Sequence, residues 1–197
     1  MPYISFIVFV VITSFTPGPN NIMAMAFANQ YGLLKTIQFC LGVGIGFFTI
    51  TGLSCFFNVA LINVMPFITF PLTILGVIYM LYLAFKIVTS KDNGESTHHS
   101  KENKRNLMLL GAILQYINPK GILFGITVVA TYILPYYSSN MSYLLFSLLL
   151  GFVGMLSTFS WALFGSAFRK VLTTYRQPFN IVMALLLVYS ALSIIVH

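Results

Sequence analysis

The sequence predicts an all-α polytopic membrane protein of six transmembrane helices, arranged as a 3+3 inverted repeat whose first and fourth helices are broken. Three observations carry this expectation. Hydrophobic residues make up 58% of the 197 residues and charged residues only 7%, against about 25% charged in an average soluble chain. Six apolar runs each approach the roughly 20 residues that a helix needs to cross a bilayer core. The first and fourth runs are interrupted by Thr16-Pro17-Gly18-Pro19-Asn20-Asn21 and by Asn118-Pro119-Lys120-Gly121.

The runs extend over approximately Tyr3 to Ala28, Thr36 to Leu61, Pro66 to Val88, Leu107 to Leu134, Met141 to Phe168 and Phe179 to Val196. They leave short connectors and one polar stretch, Ser90 to Asn106, so residues 1–197 are read as a single transmembrane domain. Its half-repeats are about 1–88 and 107–197, joined by a linker at about 89–106. The first run lacks the basic residues that precede the apolar core of a secretory signal peptide. Ala24-Met25-Ala26 is therefore read as part of a span, although it resembles a cleavage site.

The formal charge of +7 is distributed between the runs and does not form a nucleic-acid patch. Lys35 follows run one; Lys86, Lys91, Lys101, Lys104 and Arg105 lie at or between runs three and four; Arg169, Lys170 and Arg176 lie between five and six. The alternate connectors, Asn63 to Met65 and Pro135 to Asn140, contain no Lys or Arg. The positive-inside rule then places the basic connectors and the linker in the cytoplasm and both termini outside.

Ser90 to Asn106 holds all three acidic residues, Asp92, Glu95 and Glu102, and reads as a solvated linker. His98 and His99 within it lack a third ligand at metal-site spacing, so no metal is expected, and no cofactor motif is present. Cys40 and Cys55, fifteen residues apart on one predicted helix, are separated by roughly 22 Å and read as packing residues. Tyr132, Tyr136, Tyr137 and Tyr143 fit an interfacial aromatic belt.

Because each half has an odd number of runs, the second must cross in the opposite sense, and an inverted repeat becomes testable through its breaks. Placing Thr16-Pro17-Gly18 over Asn118-Pro119-Lys120 puts a polar residue and a proline at matching places. Paired proline-interrupted spans are a sequence pointer to a transporter's binding site. Gly42 with Gly46, and Gly121 with Gly125, have the spacing that lets neighbouring helices approach, within a bundle or across a homodimer.

In hydrocarbon, every backbone group released by a break needs a partner, so both breaks should face protein or a water-filled cavity. At the first break the helix should resume near Pro19, with free N–H groups on Asn21, Ile22 and Met23 at a positive dipole end. Such an end suits a carboxylate. The carbonyls of Ser14 to Thr16 suit an ammonium group, and Asn20 and Asn21 add uncharged donors and acceptors. Lys120 lies about thirteen residues from either end of its run, roughly 20 Å of helix, too far to snorkel. An intramembrane lysine costs about 2.5–3.5 kcal/mol on the insertion scale, so it marks a functional site. No Asp or Glu lies in any run, which leaves Lys120 as the conventional candidate for proton coupling.

At these residues the chain resembles the lysine exporter / homoserine-threonine resistance superfamily of small bacterial amino-acid exporters. The resemblance rests on TPGPNN followed by Gly32, LGVGIGF at Leu41 to Phe47, GVIYMLYLAFKI at Gly76 to Ile87, LQYINPKGILFG at Leu114 to Gly125, and NIVMALLLVYSAL at Asn180 to Leu192. Trp161-Ala162-Leu163 with the last of these is most similar to the cysteine/O-acetylserine exporter branch. The resemblance implies proton-coupled export of cysteine, O-acetylserine or similar small neutral amino acids, without ATP. Homoserine/threonine, leucine and lysine are the alternative substrates. Its substrate-binding residues would be Thr16, Pro17, Gly18, Pro19, Asn20, Asn21, Tyr116, Asn118, Pro119 and Lys120. Many members carry an acidic residue where this chain has Phe47. Two readings from other classes compete: an intramembrane hydrolase using Ser160, Ser166 or Tyr189 with Lys120 as base, and a non-transporting scaffold.

Overall fold

A computed structural model describes residues 1–89, 106–168 and 174–196, and among them every regular element is helical. The expectations placed on the 90–105 linker, including His98 and His99, and on Arg169 and Lys170 lie outside the described residues. Helix α1 (Tyr3–Phe15) ends where its hydrogen-bond ladder runs out of donors. The carbonyls of Thr13 and Phe15 would accept from residues 17 and 19, both prolines without an N–H. Helix α2 (Pro19–Tyr31) restarts with Pro19 in its first turn, where the missing N–H costs nothing, and is bent 49° from α1. Gly32, at φ 85°, links α2 to α3 (Leu33–Phe56), a backbone geometry that glycine adopts without strain.

A turn at Phe57 leads into α4 (Asn58–Thr89). This corrects the expected outer connector at Asn63 to Met65, which lies inside α4. One asparagine in an apolar stretch does not end a helix, and α4 also continues through Pro66 and Pro71, as transmembrane helices tolerate. Helix α5 (Leu107–Ile117) begins at Asn106, whose side chain accepts from the Leu109 N–H at 3.2 Å. Helix α6 (Pro119–Val128) restarts at Pro119 and runs into a π-helical turn, Val129–Ile133, 68° from α5. Helices α7 (Asn140–Ala167) and α8 (Arg176–Val196) complete the described chain.

Leu33–Phe56, Phe70–Thr89 and Asn140–Ala167 are each long and apolar enough to cross a membrane, and the two bent pairs pass the same test when each is taken as one span. The apolar part of α8, Gln177–Ser193, is shorter. The described chain is thus a multi-pass helical protein with broken first and fourth runs. Within it, α3 is the centre: 61% of its most apolar stretch is buried, against 17% for α4 and 28% for α7, whose remaining faces are apolar and exposed. Helix α3 packs chiefly on α7 and α5, α2 on α7, and α4 on α8.

The expected glycine pairs serve packing inside the bundle. A Cβ at Gly42 would run into the Met108 carbonyl, and one at Gly111 would reciprocally meet the Phe39 carbonyl, so α3 and α5 touch backbone to backbone. Gly46 and Gly121 both make room for Gln115, and Gly125 abuts Ile50.

Candidate substrate site

The two breaks meet. The Lys120 ammonium, carried by the first turn of α6, donates to the carbonyls of Thr16 at 3.1 Å and Pro17 at 3.2 Å in the first break. Gly18 permits this approach, since a Cβ there would lie 3.2 Å from the lysine Cδ. Both α2 and α6 resume at a proline in the first turn, so Pro19 corresponds to Pro119 and Gly18 to Asn118 as N-caps. The expected superposition of Pro17 on Pro119 is off by two residues, because the first break spans residues 16–18 whereas the second is Asn118 alone.

The carbonyls of Ser14, Phe15, Thr16 and Pro17 at the first break are claimed by protein donors. Ser14 O accepts from Ser157 Oγ at 2.6 Å and Asn21 Nδ2 at 3.0 Å, and Phe15 O from Trp161 Nε1 at 3.2 Å. Thr16 O also accepts from Asn21 Nδ2 at 3.2 Å, and Pro17 O from Ser190 Oγ at 2.6 Å. The break is thereby fixed by side chains from α2, α6, α7 and α8 together, which is how irregular backbone is stabilised at membrane depth. It also corrects the reading of Ser14 to Thr16 as open carbonyls for a ligand ammonium: the ammonium held there is that of Lys120. The expected free N–H groups shift as well. Ile22 N donates to Gly18 O at 3.0 Å, so the donors ahead of the ladder in α2 belong to Asn20 and Asn21 rather than to Ile22 and Met23.

Beside the junction lies a cavity of about 60 Å³. Gly18, Asn20, Asn21, Asn118 and Lys120 line it, with Thr13, Ser14, Gln115, Ser157 and Thr158 completing its polar part. Asn20 and Asn21 are 5% and 7% exposed and Asn118 is 6% exposed, so they contribute polar groups where apolar side chains would ordinarily pack. Asn20 Nδ2 donates to Gln115 Oε1 at 2.5 Å, tying the first turn of α2 to the last turn of α5. Thr158 Oγ1 donates to Asn21 Oδ1 at 3.4 Å. The opposite wall is apolar: Val43, Phe47 and Phe124, with the two rings stacked at 5.1 Å between centroids. Gly154 widens this side, since a Cβ there would lie 3.3 Å from the Phe47 ring.

Three buried oxygens on the cavity wall, Ser14 Oγ, Asn20 Oδ1 and Asn118 Oδ1, have no hydrogen-bond partner among the described residues. Buried polar atoms are rarely left unpaired, and water or a polar solute in this cavity can supply partners to such atoms. Lys120 faces the same space with an ammonium that has three N–H bonds, two of them on the Thr16 and Pro17 carbonyls. The first turns of α2 and α6 add two positive helix ends. The described residues include no Asp or Glu, so none among them neutralises this field.

Of the expected site residues, Gly18, Asn20, Asn21, Asn118 and Lys120 line the cavity, while Thr16 and Pro17 act through their carbonyls on Lys120. Pro19 and Pro119 are buried at their helix starts, and Pro119 packs where Gly76 leaves space. Tyr116 is a correction: it is 43% exposed and stands away from the cavity, because a step of one residue rotates a helix by about 100° and brings Gln115 inward instead. Gln115, Ser157, Thr158, Ser190 and the hydroxyl of Ser14, whose carbonyl alone was expected at the site, were not anticipated. Their signal was the presence of hydrogen-bonding side chains inside apolar runs. Ser160, Ser166 and Tyr189 do not line the cavity with Lys120, and Tyr189 is 64% exposed, which leaves the hydrolase reading without a dyad.

Comparison with known proteins identifies the family. The family profile of the LysE type translocator matches residues 11–197. The chain is 34% identical over 190 residues to a cysteine/O-acetylserine efflux protein of Salmonella choleraesuis, covering 96% of this chain and 95% of the relative. The same identity and coverage hold for the protein of that name from Salmonella typhimurium. The corresponding protein of Escherichia coli O1:K1 is 33% identical over 192 residues, with 96% and 95% covered. No solved structure matches. With its paired broken helices, its intramembrane lysine and a family profile that takes in all but the first turns, the chain belongs to the LysE-type translocators and is a membrane transporter rather than an enzyme.

Proposed function

We propose that the protein exports small neutral amino acids, cysteine and O-acetylserine foremost, across the bacterial cytoplasmic membrane, driven by the proton gradient. One observation carries the reading: a single lysine and three unpartnered buried oxygens share one small cavity between two helix starts. An amino-acid zwitterion supplies what each lacks. Its carboxylate meets the third N–H of Lys120 and the first-turn N–H groups of Asn20, Asn21 and Gly121. Its ammonium donates to Asn20 Oδ1 and Asn118 Oδ1. Its side chain lies on the Phe47 and Phe124 rings, an apolar wall against which a charged side chain is costly to bury. The cavity is far smaller than the several hundred Å³ of a drug-sized site, in keeping with a substrate of a few heavy atoms. The relatives' name points to the same substrates.

In this reading the basic connectors and linker are cytoplasmic, both termini lie outside, the halves form an inverted repeat, and lipid surrounds the exposed apolar faces. Overproducing cells should accumulate cysteine and O-acetylserine outside several-fold above an empty-vector control, with threonine, homoserine, leucine and lysine measured alongside. Preferential efflux of one of the latter four would reassign the substrate. No efflux of any of them would remove the exporter reading.

A further inference from the structure

The carbonyls of Thr16 and Pro17 hold an ammonium group in the manner of a cation site. Unwound backbone in transporters commonly offers such carbonyls to a sodium ion that travels with the substrate. Here the group that occupies them is tethered: it reaches across from the other break on the lysine stem, at 3.1 and 3.2 Å, ordinary distances for N–H···O bonds. The two carbonyls are held in place independently of the lysine, by Asn21 Nδ2 on one and Ser190 Oγ on the other. Gly18 leaves the approach open beneath the stem.

We infer that the first break is a cation site selective for ammonium-type groups, and that the tethered Lys120 amine fills it in place of a free ion, fastening the two breaks together. Because the cation is covalently attached, no alkali ion moves with the substrate, and sodium has no role in the cycle. Removing the side chain at Lys120 should leave a vacancy shaped for a primary alkylammonium. Ethylammonium and propylammonium should fit best, because they restore both the N–H donors and part of the lost stem. Sodium and potassium, which need closer oxygens and more of them, should not substitute.

The test uses purified full-length Lys120→Ala in detergent, followed by thermal unfolding in the presence of ethylammonium, propylammonium, sodium or potassium chloride at equal ionic strength. The account expects the alkylammonium salts alone to raise the variant's midpoint, by about 3 °C at ten times the dissociation constant, and to leave the wild type unmoved because its site is filled. No shift in the variant, or an equal shift in the wild type, would overturn the inference. A second measurement covers a variant that does not fold: wild-type amino-acid efflux from proteoliposomes should be unchanged when sodium is replaced by choline, and a sodium requirement would overturn the inference too. The stability readout needs no substrate. If alkylammonium stabilises the variant while no amino acid is exported, the cation site stands and the export reading falls.

Discussion

Replacing Pro17 and Pro19 together by alanine is expected to abolish export while the protein still folds. The two substitutions return N–H donors opposite the carbonyls of Thr13 and Phe15, the two places where the α1 ladder lacks them. A proline in a helix interior costs about 3 kcal/mol, so its removal favours one continuous helix over a pair bent by 49°. The Phe15 carbonyl would leave Trp161, and the Thr16 and Pro17 carbonyls would leave Lys120, so the cavity would lose the geometry of its polar wall. A displacement of that kind costs on the order of 100-fold in flux. Transport by reconstituted protein and its thermal midpoint should be read together: flux lost with the midpoint kept or raised is the expected pattern. Unimpaired flux would show that the bend is structural only.

Lys120→Gln should have the second large effect, through charge rather than shape. Glutamine keeps two N–H donors but is shorter and neutral, so it cannot both reach the Thr16 and Pro17 carbonyls and hold a carboxylate. Truncating one partner of a buried, hydrogen-bonded charge pair costs about 2–5 kcal/mol, or roughly 30-fold to several-thousand-fold in flux. In proteoliposomes with an imposed pH gradient, the wild type should move substrate and the variant should not. Undiminished, pH-driven flux by Lys120→Gln would mean that the residue neither holds the substrate nor carries the proton.

Much of this was legible in the sequence because membrane physics is strict. Low charge and long apolar runs leave few fold classes, and a proline pair or a lysine inside such a run has to be explained by inward-facing chemistry. The two breaks could therefore be matched before their meeting at Lys120 was visible. Their register could not, because Pro17, Pro19 and Pro119 look alike in sequence, and only the helix starts reveal which of the first two corresponds to the third. The turn at Phe57 was also hard to read: Asn58 beside it is a weaker mark than Asn63 followed by Pro66, which resemble a connector inside α4. The partners of the freed carbonyls were hidden for a different reason. Ser157, Trp161 and Ser190 lie 143, 146 and 173 residues away from the groups they meet, on helices whose apolar surroundings give no period from which to read an inward face.

The central claim is that the paired breaks form a site for a whole amino-acid zwitterion, with Lys120 on the carboxylate and the Asn20 and Asn118 oxygens on the ammonium. Competition against radiolabelled O-acetylserine bound to the purified protein tests it most directly. Cysteine should displace the label. Cysteamine, which lacks the carboxylate, and N-acetylcysteine, which lacks the ammonium, should each be at least about 30-fold weaker, as expected when a buried charged partner is left unpaired. If either competes as well as cysteine, one end of the proposed site does not read its substrate, and the account is contradicted.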